Sequence, residues 1–145
     1  MAGAEFDDLA AHYDETRGGE QRGDEYAADI DRLLPPDDGP ILEVGVGTGV
    51  VALGLRRRGR PVVGVDISSA MLARACSRLG PVVVRADATA LPVADAAVAH
   101  TVAVWVVHAV ADRPRLFAEV ARVLRPGGVF VVCPMQRPHA DTASA

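Results

Sequence analysis

The chain contains no lysine: every fixed positive side-chain charge among its 145 residues is an arginine. That absence reads as coding bias rather than as a binding signal, because acids outnumber bases 19 to 15 and the net charge is −4. General nucleic-acid binding needs a basic face, so that class of partner is disfavoured. Aromatic residues are scarce at 4% while half the chain is hydrophobic, which predicts a core built from Ala, Val and Leu. Cysteine is limited to Cys76 and Cys133, in a helix-like and a strand-like segment, and both are expected to be small reduced core residues. No Cys/His cluster has the spacing of a zinc site. No apolar run reaches the ~18 residues of a membrane span, and the acidic N-terminus lacks a signal-peptide pattern. The expectation is one soluble, cytoplasmic domain with no membrane partner.

Against that background one stretch organises the chain: Ile41-Leu42-Glu43-Val44-Gly45-Val46-Gly47-Thr48-Gly49. Ile41, Leu42 and Val44 make a buried strand with a single acid near its end. Three glycines follow at alternate positions, and then the apolar helical pattern of Val50, Leu53 and Leu55. A strand that passes through a glycine turn into a helix lets the backbone turn sharply and lets a ligand approach the main chain. The first helical N–H groups and the helix dipole point into the same turn. Such a turn is a ligand site rather than an ordinary connection.

The flanking segments alternate between helix and strand. Residues 1–20 are polar and mixed, with Phe6, Leu9 and Tyr13 roughly at helical spacing, and are expected to form a mobile N-terminal lid ending before Gly18-Gly19. From Gln21 to Leu34, residues Tyr26, Ile30, Leu33 and Leu34 share one helical face, and Pro35-Pro36 stops the helix. A helix from Gly49 to Arg58 ends at Gly59. Arg56-Arg57-Arg58-Gly59-Arg60 is expected to be a solvated helix end that complements the dipole, not a nucleic-acid patch. The second strand is Pro61 to Asp66, and Ser68 caps a helix that turns Met71, Leu72, Ala75 and Leu79 inward. Val82 to Val84, Val98 to Val104 and Val129 to Cys133 are the remaining strands. A helix from Arg113 to Leu124, with Leu116, Val120, Val123 and Leu124 on one face, precedes the last. The main domain spans 21–134, and residues 135–145 read as a polar, disordered tail.

Five continuous apolar strands alternating with helices predict an α/β fold: a doubly wound, Rossmann-like sheet of about five parallel strands with helices on both faces. Ligands bind such sheets at the carboxyl ends of the strands, beside the switch point in strand order. Glu43, Gly45, Asp66 and Asp87 lie at or just beyond three consecutive strand ends and can converge on one crevice. Asp66, 17 residues after Gly49, suits the two hydroxyls of a ribose. A nicotinamide dinucleotide would want the same acid, but Val50 stands where its fingerprint has a third glycine. Glu43 would also repel a pyrophosphate and attract an amino-acid ammonium.

These residues resemble the class I S-adenosylmethionine-dependent methyltransferases of the small bacterial kind, over roughly Tyr13 to Val132. Glu43 with Gly45, Gly47 and Gly49 resembles the family's first motif, and Val62 to Ser68 its second-strand motif. Arg85-Ala86-Asp87-Ala88 with Leu91-Pro92 resembles the adenine-contacting segment, and Leu124-Arg125-Pro126-Gly127-Gly128 the turn before strand five. Tyr13-Asp14-Glu15-Thr16-Arg17 resembles the N-terminal segment that closes over the cofactor. The resemblance implies S-adenosyl-L-methionine as cofactor. Gly45, Gly47 and Gly49 would line its methionine part, and Glu43 would hold the ammonium. Asp66 would take the ribose, Ile67 and Met71 would pack on the adenine, Asp87 and Ala88 would meet its edge, and Tyr13 and Arg17 would close the lid. For Ile67 and Met71 plain core packing is the competing reading. His100 and His108 are expected to be structural, because transfer from a sulfonium often needs only alignment and desolvation.

Two departures stand out. Val98-Ala99 replaces the Phe-Asp the family often has before strand four, and the sequence stops after strand five, short of the family's last two strands. Three readings follow: a minimal enzyme that forms a homodimer through strand five, a truncated cofactor-binding relative without catalysis, or a chain that pairs with another polypeptide. The expected function is methyl transfer to a small-molecule acceptor. The alternatives are a non-catalytic S-adenosylmethionine-binding or interaction protein and, more distantly, a nicotinamide oxidoreductase.

Overall fold

The computed structural model describes residue 10 and residues 12–134. The helical reading of Phe6 and Leu9 and the tail reading of 135–145 lie outside the described residues. Helix α1, Tyr13–Arg17, stops at Gly18, whose φ of 89° is the left-handed conformation that ends a helix cheaply. Helix α2, Gly19–Leu33, buries Gly23, Ala27 and Ile30. Leu33, expected inward, is 65% exposed instead, and Leu34, just past the helix end, is buried. The chain becomes extended at Leu34 ahead of Pro35, so the side-chain direction changes there and Leu34 takes the inward place.

Strands β1 Ile41–Val44, β2 Val62–Asp66, β3 Val83–Arg85, β4 His100–Val104 and β5 Phe130–Cys133 pair in parallel in the order β3-β2-β1-β4-β5. Four start later than expected, at Val62, Val83, His100 and Phe130. Apolarity marks a buried segment, whereas strand pairing begins only where a neighbouring backbone is in register. Helices α3 Val50–Arg57 and α4 Ser69–Leu79 lie with α2 over one sheet face, where Ala27, Ile30, Ala52, Leu55, Ala75 and Leu79 meet Ile41, Val62 and Val102. Helix α5, Arg113–Val123, covers the other face, packing Leu116, Val120 and Val123 on Leu42, Val44 and Ala103. Ser68 caps α4 as expected, accepting from the Met71 N–H.

Gly23 and Gly54 set how closely α2 and α3 approach. A Cβ on Gly23 would lie 2.6 Å from the Val50 backbone, and one on Gly54 would lie 2.6 Å from the Ala27 Cβ. The arginine cluster is not a solvated helix end. Arg58 pairs with Asp24 at 2.6 Å, Arg60 with Asp31 at 2.8 Å, and Arg56 donates to the Leu79 carbonyl. The acidic face of α2 lies within reach and takes up the Arg58 and Arg60 charges. Cys76 is exposed on α4 rather than in the core, and Cys133 is half-buried.

Candidate functional site

The strand order reverses between β1 and β4: the chain steps outward from β1 to β2 and β3, then returns to pair β4 on the other side of β1. Two adjoining cavities open at the carboxyl ends of these strands, of about 300 and about 50 Å³. They share Tyr13, Gly45, Gly47, Val104 and Trp105 as walls. A cleft at this switch point follows from the topology, because the two diverging connections leave the strand ends uncovered.

The glycine turn is held from β2. The Gly45 and Val46 N–H groups both donate to the Val65 carbonyl, at 2.8 and 2.9 Å. The Gly47 N–H donates to Asp66 Oδ2 at 2.8 Å, and the Ser68 N–H donates to Asp66 Oδ1 at 2.9 Å. Asp66 therefore ties the turn to the start of α4 while its carboxylate lines the larger cavity. Gly47 has φ of 57°, and a Cβ there would meet no atom within 4 Å. Its glycine is required by backbone conformation, and the space above it is left for a ligand.

Glu43 is buried, and its Oε1 has no hydrogen-bond partner. Burial pushes its carboxyl well above the usual range, the nearby charge of Asp66 adds to this, and the Ala52 backbone N–H only partly opposes it. A buried carboxyl with one unpaired oxygen beside a cavity is costly without a ligand. The smaller cavity is lined by Glu43 and Asp14 together with Arg17 and Arg22. A lining that holds both acids and cations suits a zwitterion. Burial raises the Tyr13 hydroxyl above its ordinary value, and the neighbouring Arg17 guanidinium, 5.6 Å from the ring, opposes that. Asp87 is held below the usual carboxylate range by the Thr89 backbone N–H and hydroxyl, both donating to its Oδ1.

The fold brings Tyr13, Arg17, Glu43, Gly45, Gly47, Asp66, Ile67, Met71, Asp87 and Ala88 to the walls of one or both cavities. Gly49 is not among them. It is the N-cap of α3, with φ of 86°, and packs against Ala75 and Leu79. His100 is buried and accepts the Val129 N–H at Nδ1, and exposed His108 lines neither cavity. Trp105, Val106, Arg22, Tyr26 and Thr89, which the sequence did not single out as site residues, are among the others that line the walls. Trp105 could have been found by the rule that picked Asp66, since it follows the end of β4. Its left-handed φ of 57° and its edge-on contact with Tyr26, with centroids 5.4 Å apart, are purely tertiary.

Residues 42–132 match the methyltransferase domain family. The chain is 35% identical over 137 residues to the demethylmenaquinone methyltransferase of Mycolicibacterium vanbaalenii, covering 92% of this chain and 59% of that one. An S-adenosylmethionine-dependent methyltransferase of Thermotoga maritima superposes with TM-score 0.74 at 28% identity, over 88% of this chain and 58% of that one. The 4+2 cyclase SpnF superposes with TM-score 0.77 at 26% identity, over 89% and 57%. The chain spans about half the length of the curated relatives it matches. With a parallel 3-2-1-4-5 sheet, the glycine turn after β1 and the acid ending β2, the chain belongs to the class I S-adenosylmethionine-dependent methyltransferase family.

Proposed function

We propose that this site binds S-adenosylmethionine and transfers its methyl group to a small-molecule acceptor. The observation that carries the reading is Glu43, a buried carboxyl with an unpaired oxygen beside a glycine-floored cavity. That group favours a ligand with an ammonium and disfavours a pyrophosphate. Asp66, whose carboxylate already accepts the Gly47 and Ser68 N–H groups, would also accept the ribose hydroxyls. Ile67 and Met71 would flank the adenine, with Asp87 and Ala88 at its edge. Tyr13, Arg17 and Arg22 would close on the amino-acid end. S-adenosylmethionine supplies an electrophilic methyl on a sulfonium; an acceptor lone pair takes it, and the C–S electron pair stays on sulfur. No histidine stands in either cavity among the described residues, so the chain's contribution is alignment and exclusion of water rather than proton transfer through imidazole. The small-molecule acceptor is supported by relatives named for demethylmenaquinone.

A second reading is binding without methyl transfer. It is favoured by the likeness to a protein named as a cyclase, since one fold hosts several chemistries. S-adenosylhomocysteine appearing in an acceptor screen separates the two. The cofactor itself is tested by thermal melting with S-adenosylhomocysteine and with NADH. At about 100 times its dissociation constant, a native-state ligand adds about 2.7 kcal/mol, a rise of several degrees in a domain of this size. The expected result is that rise with S-adenosylhomocysteine and none with NADH. Equal or greater stabilisation by NADH sinks the reading.

A further inference from the structure

Helix α1 carries Tyr13 and Arg17 over the cavities, yet none of its five residues is buried. Only Tyr13 and Asp14 of the five are partly buried, so apolar packing by the helix is slight. Asp14 supplies polar ties instead. Its Oδ1 accepts the Thr48 hydroxyl at 2.5 Å, and its Oδ2 accepts Arg78 Nη2 at 2.7 Å. Thr48 is buried between Gly47 and Gly49 in the glycine turn. Arg78, near the end of α4, also donates to the Thr48 carbonyl at 2.9 Å and to Glu20 of α2 at 3.2 Å. One carboxylate thus joins the lid, the turn and α4 at a place where both charged side chains are about four-fifths shielded from water.

We infer that Asp14 is a positioning residue: by gripping Thr48 and Arg78 it holds Tyr13 over the bound cofactor and sets how slowly the cofactor leaves. This rests on the proposed cofactor reading. A latch of this kind acts on the complex, so its loss falls mainly on the dissociation rate. Asp14→Ala removes both ties. Asp14→Asn keeps an acceptor for the Thr48 hydroxyl and loses the charge facing Arg78.

The test is release of S-adenosylhomocysteine from the full chain, followed by stopped-flow fluorescence. The chain has a single tryptophan, Trp105, which stands in the wall between the two cavities and reports occupancy. The expected result is release about tenfold faster in Asp14→Ala, the size of one lost charge-assisted hydrogen bond, and an intermediate rate in Asp14→Asn. Association should change by less than about twofold. In a Tyr13→Ala background, Asp14→Ala should add nothing, because Asp14 acts through Tyr13. An unchanged release rate in Asp14→Asn or Asp14→Ala overturns the latch. So does an equal effect with and without Tyr13, which marks a strut serving only stability. Failure of the wild type to bind S-adenosylhomocysteine by calorimetry overturns the cofactor reading instead, and the latch with it.

Discussion

Asp66 ends β2 with its two oxygens already engaged, one by the Gly47 N–H and one by the Ser68 N–H. A strand-end acid facing a crevice reads from sequence as a ligand contact with little structural duty, but here it also braces the turn. Asp66→Ala should therefore weaken S-adenosylhomocysteine binding about ten- to a hundredfold by calorimetry. It should also lower the melting point by a few degrees, because two partly shielded backbone donors lose their acceptor. Unchanged affinity in a folded variant would leave Asp66 as a turn residue only. Glu43 makes the opposite trade. Its folded-state carboxyl titrates above the ordinary 4.5, because burial and Asp66 disfavour the charge. The folded chain thus holds that proton more tightly than the unfolded chain, and ionisation costs stability as pH rises through and above 4.5. Glu43→Gln should melt higher than the wild type at pH 7, with the gap closing toward pH 4, and should bind S-adenosylhomocysteine about ten- to a hundredfold more weakly. A variant less stable at pH 7 would contradict the assignment.

The loop between β3 and β4, which carries Asp87, Ala88 and Thr89 to the larger cavity, has little secondary structure of its own. Helix α5 holds it. Arg115 donates to the Thr89 carbonyl at 3.0 Å, and Arg122 donates to the Leu91 and Val93 carbonyls at 3.0 and 2.7 Å. Glu119 accepts the Leu91 N–H at 2.7 Å and pairs with Arg122 through both oxygens. These hydrogen bonds, Arg122 first, bring the Glu119 carboxyl down from 4.5 to about 2. Because its folded value is depressed, the stabilisation is fully present above pH 4.5 and is lost as pH falls toward 2. Glu119→Gln should melt about 3–8 °C lower than the wild type near neutrality, a difference that shrinks through this window. Melting curves between pH 2 and 7 check this, and a difference independent of pH would rule the bridge out as its source.

At the scale of the whole molecule, β5 is the outermost strand of the sheet on the β4 side. Val131 points inward and is buried, while Val132 is 38% exposed and, across the same edge, Phe117 of α5 is 46% exposed. An apolar parallel edge invites pairing, and a symmetric dimer is the commonest closed solution. Self-association of this chain through β5 and α5 is therefore the proposed outcome in sedimentation at micromolar concentration. Val132→Glu should dissociate it. A charge at Val131 would instead test the core, because that side chain lies among the residues under α2 and α3. A monomer indifferent to Val132→Glu would dismiss the interface. Among the described residues, no helix is long and apolar enough to cross a membrane.

Sequence alone determined the strand–helix alternation, the glycine turn and the acids at Glu43 and Asp66, because local rules govern them. Apolar runs mark buried strands, alternate glycines mark a turn that a ligand can approach, and a parallel sheet puts successive strand ends on one edge. The glycine turn and the strand ends placed Glu43, Gly45, Gly47, Asp66 and Asp87 at the cavities, because the topology follows from that alternation, while Tyr13, Arg17, Ile67, Met71 and Ala88 came from the family resemblance. Tertiary structure decided what pairing over distance decides. It placed the strand starts where neighbours come into register, paired Arg58 and Arg60, just past α3, with acids of α2, and turned Cys76 outward. It gave Asp66 its two backbone donors, and it bound Asp14 to Thr48 and Arg78, 34 and 64 residues away. A side chain's partner across such distances depends on which surfaces the packed sheet brings together, and no local pattern encodes that.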